Sequence, residues 1–269
     1  YEFTSDGHDV LNSIERCDKT TIALTTGLAL GGGLELALSC DYRIGTRRTQ
    51  FRFPETSIGI YPGLGGTQRT ARICGVECAR YAVLAGNFID SSTAFDLGLL
   101  THKVESSDVE DTVFSLMGKK PDQKYPGKPL NDKSEVAIFA KDFYSDVNID
   151  ALVSGKKPKD YDPEDPKASR QIKSLSRVAP IALVIASDLL SDVKTGTSLE
   201  DGLKLELERL EEIFSTEDAE EGLSALIEGI LDDVDLKDIP TLKARLSSLL
   251  ATDSKFSEVD VKKDKLDKA

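Results

Sequence analysis

Two glutamates and two glycine clusters are the residues whose types and spacing permit chemistry in this chain. Gly31, Gly32 and Gly33 run directly into Leu34 and Glu35. If a helix begins there, its first N–H groups are free and carry partial positive charge. The glycines let a bulky ligand approach the backbone. Such a place suits negative charge developing on an oxygen, and Glu35, in the first helical turn, would stand beside that oxygen. Taken alone, the same residues also fit an acid that merely offsets a helix dipole. Glu55 follows Pro54, twenty residues beyond Glu35, in a stretch punctuated by Gly59, Pro62, Gly63, Gly65 and Gly66. Two carboxylates at one site push their pKa values apart, so one serves as base toward a water and the other as acid. The spacing permits this pairing, and equally permits two unrelated surface acids.

Other readings of these motifs fail. A phosphate-binding loop needs Lys and then Ser or Thr after the last glycine, where Leu34 and Glu35 stand. Neither glycine cluster has the G-x-G-x-x-G spacing of a dinucleotide site. A serine hydrolase needs a histidine near its serine, and the chain has only His8 and His102 and no G-x-S-x-G. The four cysteines, Cys17, Cys40, Cys74 and Cys78, include no second pair at zinc-finger spacing, so no metal site is expected.

The elements that must position the two acids are short. Thr20–Thr26 reads as a buried strand ended by Gly27, and Leu34–Cys40 as a helix too apolar for a surface. Asp41–Gly45 returns to an extended pattern and Thr49–Phe53 reads as another strand, so the stretch has the size of one βαβ unit, a layout that permits both acids to reach the same end of a sheet. Pro54–Gly66 is loop-like. Thr67 is expected to cap a helix through Ile73, a second helix covers Val76–Leu84, and Ser91 or Ser92 caps a third that Gly98 stops. Thr101–Glu105 suggests a short strand, and Ser107 and Asp108 open a helix through Leu116.

Character changes at Gly118. Residues 1–117 read as a core, 118–173 as an inserted, charged, partly ordered segment, 174–252 as a helical region and 253–269 as a charged tail. Two short helices fit within Asp132–Leu152, with a flexible linker as the competing view of the insert. Ser174–Ser191 and Ser198–Phe214 read as two long helices, the second with apolar residues at 199, 203, 207, 210 and 213 and acids between them. Glu217–Glu228 reads as a further helix ended by Gly229, and another is expected near Pro240–Ala251.

A net charge of −13 argues against nucleic acid as a partner, because phosphate neutralisation needs excess Lys and Arg. No apolar run is long enough to span a membrane and no leader-like segment opens the chain. Unpaired cysteines fit a reducing, cytoplasmic setting. The chain starts at Tyr1 without a methionine, which fits a fragment, a processed chain or a choice of numbering.

The run from Lys19 to Gly75, with ALGGGLELALSCD, PE and PGLGGTQR in order, resembles the crotonase (enoyl-CoA hydratase/isomerase) superfamily. The likeness continues through Ala82–Glu105 and, more weakly, Leu205–Gly229. The inserted middle resembles the longer, often archaeal, hydratase domains fused behind a 3-hydroxyacyl-CoA dehydrogenase. The resemblance implies an α/β fold of repeated ββα units with a helical C-terminal region. It implies an enoyl-CoA hydratase, a lyase of fatty-acid (β-oxidation) or related acyl-CoA metabolism. Gly32 matches the glycine whose N–H forms half of the oxyanion hole. Glu35 and Glu55 match the two hydratase glutamates, and Gly63 matches the glycine whose amide helps hold the catalytic water. Coenzyme A is then part of the substrate and no separate cofactor or metal is required. Family members form trimers or hexamers, so a homo-oligomer is expected. Both glutamates favour hydration over isomerisation; isomerisation and thioester hydrolysis are the alternative reactions, and an inactive fragment with an oligomerising role is the other alternative.

The pattern breaks in two places. The G-A-D type loop that supplies the second oxyanion N–H has no match, and Tyr1–Cys17 corresponds to the helix just after it. The chain is therefore expected to carry half of the hole. Ile230–Asp233 stands where relatives have a basic, CoA-contacting stretch, and Lys156 and Lys157 lie in the wrong segment to replace it.

Overall fold

Ile22–Thr25 (β1, after helix α1, Glu2–Glu15) pairs in parallel with Tyr42–Gly45. A computed structural model describes residues 1–159 and 161–233. Between those strands the chain leaves for a second sheet as β2 (Leu28–Leu30), then forms α2 (Gly32–Ser39) before returning as β3 (Tyr42–Gly45). The same excursion follows: β4 (Gln50–Arg52) joins β2 in parallel, with Leu30 opposite Arg52, and α3 (Gly66–Cys74) and α4 (Val76–Val83) come next. Then β5 (Ile89–Asp90) pairs antiparallel with β4, α5 (Ser91–Leu97) follows, and β6 (His102–Lys103) closes the first sheet beside β3. The sheet orders are β1-β3-β6 and β2-β4-β5. The first two strand pairs thus feed one strand to each sheet and are followed by helix, the expected repeated ββα core, while α5 separates the third pair, β5 and β6. Strand β2 was not distinguished in the sequence, where its three residues merge with the glycine turn.

Helix α6 (Val109–Leu116) packs Leu116 with Tyr42 and Ile44 in a small separate cluster. The main core joins α2 (Leu34, Leu38), β4 and its exit (Phe51, Phe53), α3, α4 and the later helices. The segment after Gly118 forms α7 (Glu135–Phe143), α8 (Asp146–Val153) and α9 (Pro166–Leu175). Ala140, Phe143, Ile149, Leu152, Ala168 and Leu175 from these helices belong to the same buried cluster. Its Lys- and Pro-rich flanks stay largely outside, so composition at the flanks concealed apolar helical faces.

The first expected long helix is divided. Pro180 lacks an N–H and turns Ala179 out of helical geometry (ψ 125°), so α10 (Pro180–Ser191) starts afresh after α9. Between its end residues, helix α10 buries all but the stripe of Ile181, Val184 and Asp188, and it packs on α3, α4 and α8. Each of its buried leucines and isoleucine contributes about 2 kcal/mol of burial. The second is also divided, into α11 (Leu199–Glu208) and α12 (Leu210–Phe214) at Arg209. Helix α13 (Glu217–Asp233) runs through Gly229 instead of ending there. Two caps differ from expectation as well. Asp90, not Ser91 or Ser92, accepts the Thr93 N–H at 2.8 Å. Gly65, in left-handed conformation (φ 91°), precedes α3, which frees Thr67 for another task. The expected helix near Pro240–Ala251 and the tail lie outside the described residues.

Candidate active site

Because β2 and β4 are parallel neighbours in register, their exits lie at one end of the second sheet. From the β2 exit, Gly31 turns the chain at φ 48° and donates its N–H to Arg52 O at 3.0 Å, tying it to the β4 exit. A side chain at Gly31 would be strained by that φ, and its Cβ would lie 2.5 Å from Glu55 Oε1. Glycine is thus required there by geometry. Gly32 and Gly33 are different: an added Cβ meets nothing nearer than 3.4 Å at Gly32 and nothing within 4 Å at Gly33. Among the described residues the Gly32 N–H, first in α2, donates to no protein group.

Glu35 is 2% exposed, and its Oε1 accepts Leu64 N–H at 2.8 Å and Gly66 N–H at 2.7 Å. The acid does not cap its own helix. It crosses to the glycine loop before α3, which answers the simple dipole reading of its position. Glu55, 8% exposed, stands in a short 3-10 turn (Glu55–Ile58) just past β4. Its Oε2 is buried without a hydrogen-bond partner among the described residues, so it is an acid with an oxygen free to bind or to carry a proton. Burial, then the negative charges of Glu55 and Glu206, hold the Glu35 carboxyl well above the usual carboxylate range, against the opposing pull of the two N–H donors. Burial pushes Glu55 up to about 7, opposed by its own backbone N–H and by Arg52. Like charges that share a desolvated site titrate as a pair, and such a pair holds a proton near neutral pH.

Gly63 lies in the same loop, and its N–H makes no hydrogen bond among the described residues. Its carbonyl accepts from His8 Nε2 of α1 at 2.7 Å. The next carbonyl, of Leu64, accepts from Arg69 Nη1 at 3.1 Å. Arg69 is fully buried and also donates to Glu15 Oε2 at 2.9 Å and Asn12 Oδ1 at 2.8 Å, which fastens α1 to α3. From the far end of the chain, Glu206 of α11 reaches the loop, accepting Gly65 N–H at 2.8 Å and the Thr67 hydroxyl at 2.5 Å.

All four expected site residues, Gly32, Glu35, Glu55 and Gly63, therefore stand at or against one loop and one helix start. His8, Arg69, Thr67 and Glu206 were not singled out. Glu206 did leave a signal: it falls three residues after Leu203 and four before Leu210, on a stripe where helical period calls for an apolar residue. The structure buries Leu203, Glu206, Leu210 and Ile213 and leaves Leu207 only partly covered. No group of three or more His, Cys, Asp or Glu suited to a metal ion occurs among the described residues. An open cavity of about 690 Å³ beside Phe88, Lys133, Phe139 and Arg170 is lined by neither Glu35 nor Glu55.

An enoyl-CoA isomerase/hydratase of Mycosarcoma maydis is 40% identical to the chain over 130 residues, 48% of this chain and 46% of that protein. A crotonyl-CoA hydratase of Syntrophomonas wolfei is 38% identical over 118 residues, 44% of this chain and 45% of that protein. The matched stretches thus span less than half of either relative. The crystal structure of an enoyl-CoA hydratase from Rhodobacter sphaeroides has the same fold, with a TM-score of 0.66 at 22% identity over 85% of this chain and 66% of that one. The model of the enoyl-CoA hydratase/isomerase family matches residues 1–230, and the chain belongs to that family.

Proposed function

We propose that the chain carries the acid–base site of an enoyl-CoA hydratase, which adds water across the double bond of a 2-enoyl-CoA to give a 3-hydroxyacyl-CoA. One observation carries this reading: Glu35 and Glu55 are both buried, raise their proton affinity by shared desolvation, and sit at one sheet end beside an unpartnered helix-start N–H. Hydration needs a base and an acid at once. One carboxylate of the pair takes a proton from water as its oxygen bonds to C3. The other delivers a proton to C2, so the pair ends with the proton count it began with. Charge that builds on the thioester oxygen meets the Gly32 N–H, and the Gly63 N–H is available to the attacking water. A reaction that only shifts a double bond works with one acid, so retention of both favours hydration.

The narrower expectations follow as part of the proposal: an acyl-CoA substrate within fatty-acid or related metabolism, a cytoplasmic setting, a trimeric or hexameric assembly, and association with a 3-hydroxyacyl-CoA dehydrogenase domain. The test is loss of enoyl-thioester absorbance with crotonyl-CoA, for the chain and for Glu35→Gln and Glu55→Gln. Hydration by the chain, lost in both variants, supports the reading. Free CoA as product would replace it with thioester hydrolysis, and a migrated double bond would replace it with isomerisation.

A further inference from the structure

The three successive amides of Leu64, Gly65 and Gly66 are shared between two buried carboxylates from opposite ends of the sequence. Leu64 and Gly66 donate to Glu35 Oε1, while Gly65, between them, donates to Glu206 Oε2. Peptide groups are planar, so each amide moves with the carbonyl before it. The plane from Gly63 to Leu64 is held at both ends, its oxygen by His8 and its N–H by Glu35. The next plane is also held at both ends, its oxygen by Arg69 and its N–H by Glu206. This second plane links the two planes whose N–H groups hold Glu35.

We infer that Glu206 is a positioning residue for Glu35, fixing the Leu64–Gly65 peptide and so the relative orientation of Glu35's two donors. This rests on the hydratase reading for its meaning in catalysis, though not for its geometry. The anchor is well made. Glu206 is 0% exposed, its other oxygen takes the Thr67 hydroxyl, and the hydroxyl of Tyr61 donates to its backbone carbonyl. His8 Nε2 lies 2.7 Å from Gly63 O and 3.2 Å from Glu206 Oε2. Both are acceptors, so Nε2 carries the hydrogen, and His8 bridges the carboxylate to the loop. The titratable groups that face Glu206 are His8 of α1, Glu35 of α2, Tyr61 before α3, and Arg72 of α3. At zero exposure the Glu206 charge is weakly screened, and it opposes ionisation of Glu35 across the loop.

Two substitutions separate shape from charge. In Glu206→Gln, the amide oxygen still accepts Gly65 N–H and the amide nitrogen donates to Thr67 Oγ1, so the loop stays and only the charge goes. In Glu206→Leu both go. The measurement is a ¹³C carboxyl NMR titration of Glu35 in the whole chain, with amide hydrogen exchange at Leu64 and Gly66. We expect the Glu35 midpoint to fall in Glu206→Gln with exchange unchanged. In Glu206→Leu we expect exchange at Leu64 and Gly66 to speed up at least tenfold while α10 stays protected. Crotonyl-CoA hydration should lose kcat in Glu206→Leu, with KM altered less than twofold, and the profile of Glu206→Gln should shift to lower pH. Unchanged exchange at both amides in Glu206→Leu, or exchange that speeds up as much in Glu206→Gln, overturns the inference. These readouts need no turnover, so a chain that fails to hydrate crotonyl-CoA would sink the hydratase reading and leave this result standing or falling by itself.

Discussion

Gly59 and Gly222 bring helix α13 into backbone contact with the turn that carries Glu55. A Cβ on Gly222 would lie 2.3 Å from the Ile58 carbonyl oxygen, and one on Gly59 would lie 2.4 Å from the Asp218 carbonyl oxygen. Gly59 is further committed by its φ of 81°. The obstructing atoms are backbone, which cannot swing aside. Gly222→Ala should therefore push α13 off the turn, at a cost of about 1–3 kcal/mol, measured by chemical denaturation. Hydratase activity should fall with it, because the Glu55 turn loses its backing. A variant as stable and active as the parent would show that the contact is not needed.

Glu35→Gln and Glu55→Gln each leave the pair with a single ionisable member. Loss of either general acid–base partner should lower kcat by about 10²–10⁴-fold, read from crotonyl-CoA hydration. In the parent, the rate should also fall at high pH once the pair has lost its shared proton. If one variant keeps most of the parent rate, the reaction needs a single acid and is not hydration by two carboxylates.

Stability should depend on pH through Glu55. An acid whose pKa is raised on folding binds its proton more tightly in the folded state. Its stabilising contribution is full below the ordinary glutamate value of 4.5 and is lost as pH rises through about 7. Glu55→Gln removes that loss. The variant should match the parent at pH 4.5 and exceed it at pH 8, by ~3 kcal/mol. Thermal melts at both values check this, and equal melting temperatures at pH 8 would mean that Glu55 is solvated when ionised.

Gly32→Ala should separate folding from catalysis. The added Cβ meets only Leu64 Cδ1, at 3.4 Å, and alanine in a helix is favoured over glycine by roughly 0.5–1 kcal/mol. The fold should therefore hold. A methyl beside the Gly32 N–H would crowd the thioester oxygen, and kcat/KM for crotonyl-CoA should drop by about 10²-fold, the scale of losing one such donor. Unchanged kcat/KM would place the oxygen elsewhere. Gly31→Ala, by contrast, should destabilise the chain at once, since its Cβ runs into the Glu55 carboxyl.

Much of this site was legible in the residues. The glycine triplet before Glu35 and the P-E pair at Glu55 nominated the two acids, because turns are encoded locally, but left two unrelated surface acids open; the ββα order and the parts given to Gly32 and Gly63 came from the family resemblance. Helix breaks were less legible: Pro180 divides α9 from α10 although the surrounding apolar pattern runs on.

What tertiary structure alone decided was which groups satisfy the loop from Pro62 to Thr67. Its amides and carbonyls are held by Glu35, Arg69, His8 and Glu206, the last 141 residues beyond Gly65. Nothing in a local pattern specifies a partner at that distance. Glu206 could be seen only as an acid out of place on an apolar stripe, and Thr67 only as a cap. Their task follows from burial: each polar group of the loop that packing shuts off from water needs a protein partner, and only the assembled helices determine which side chains are near enough to serve.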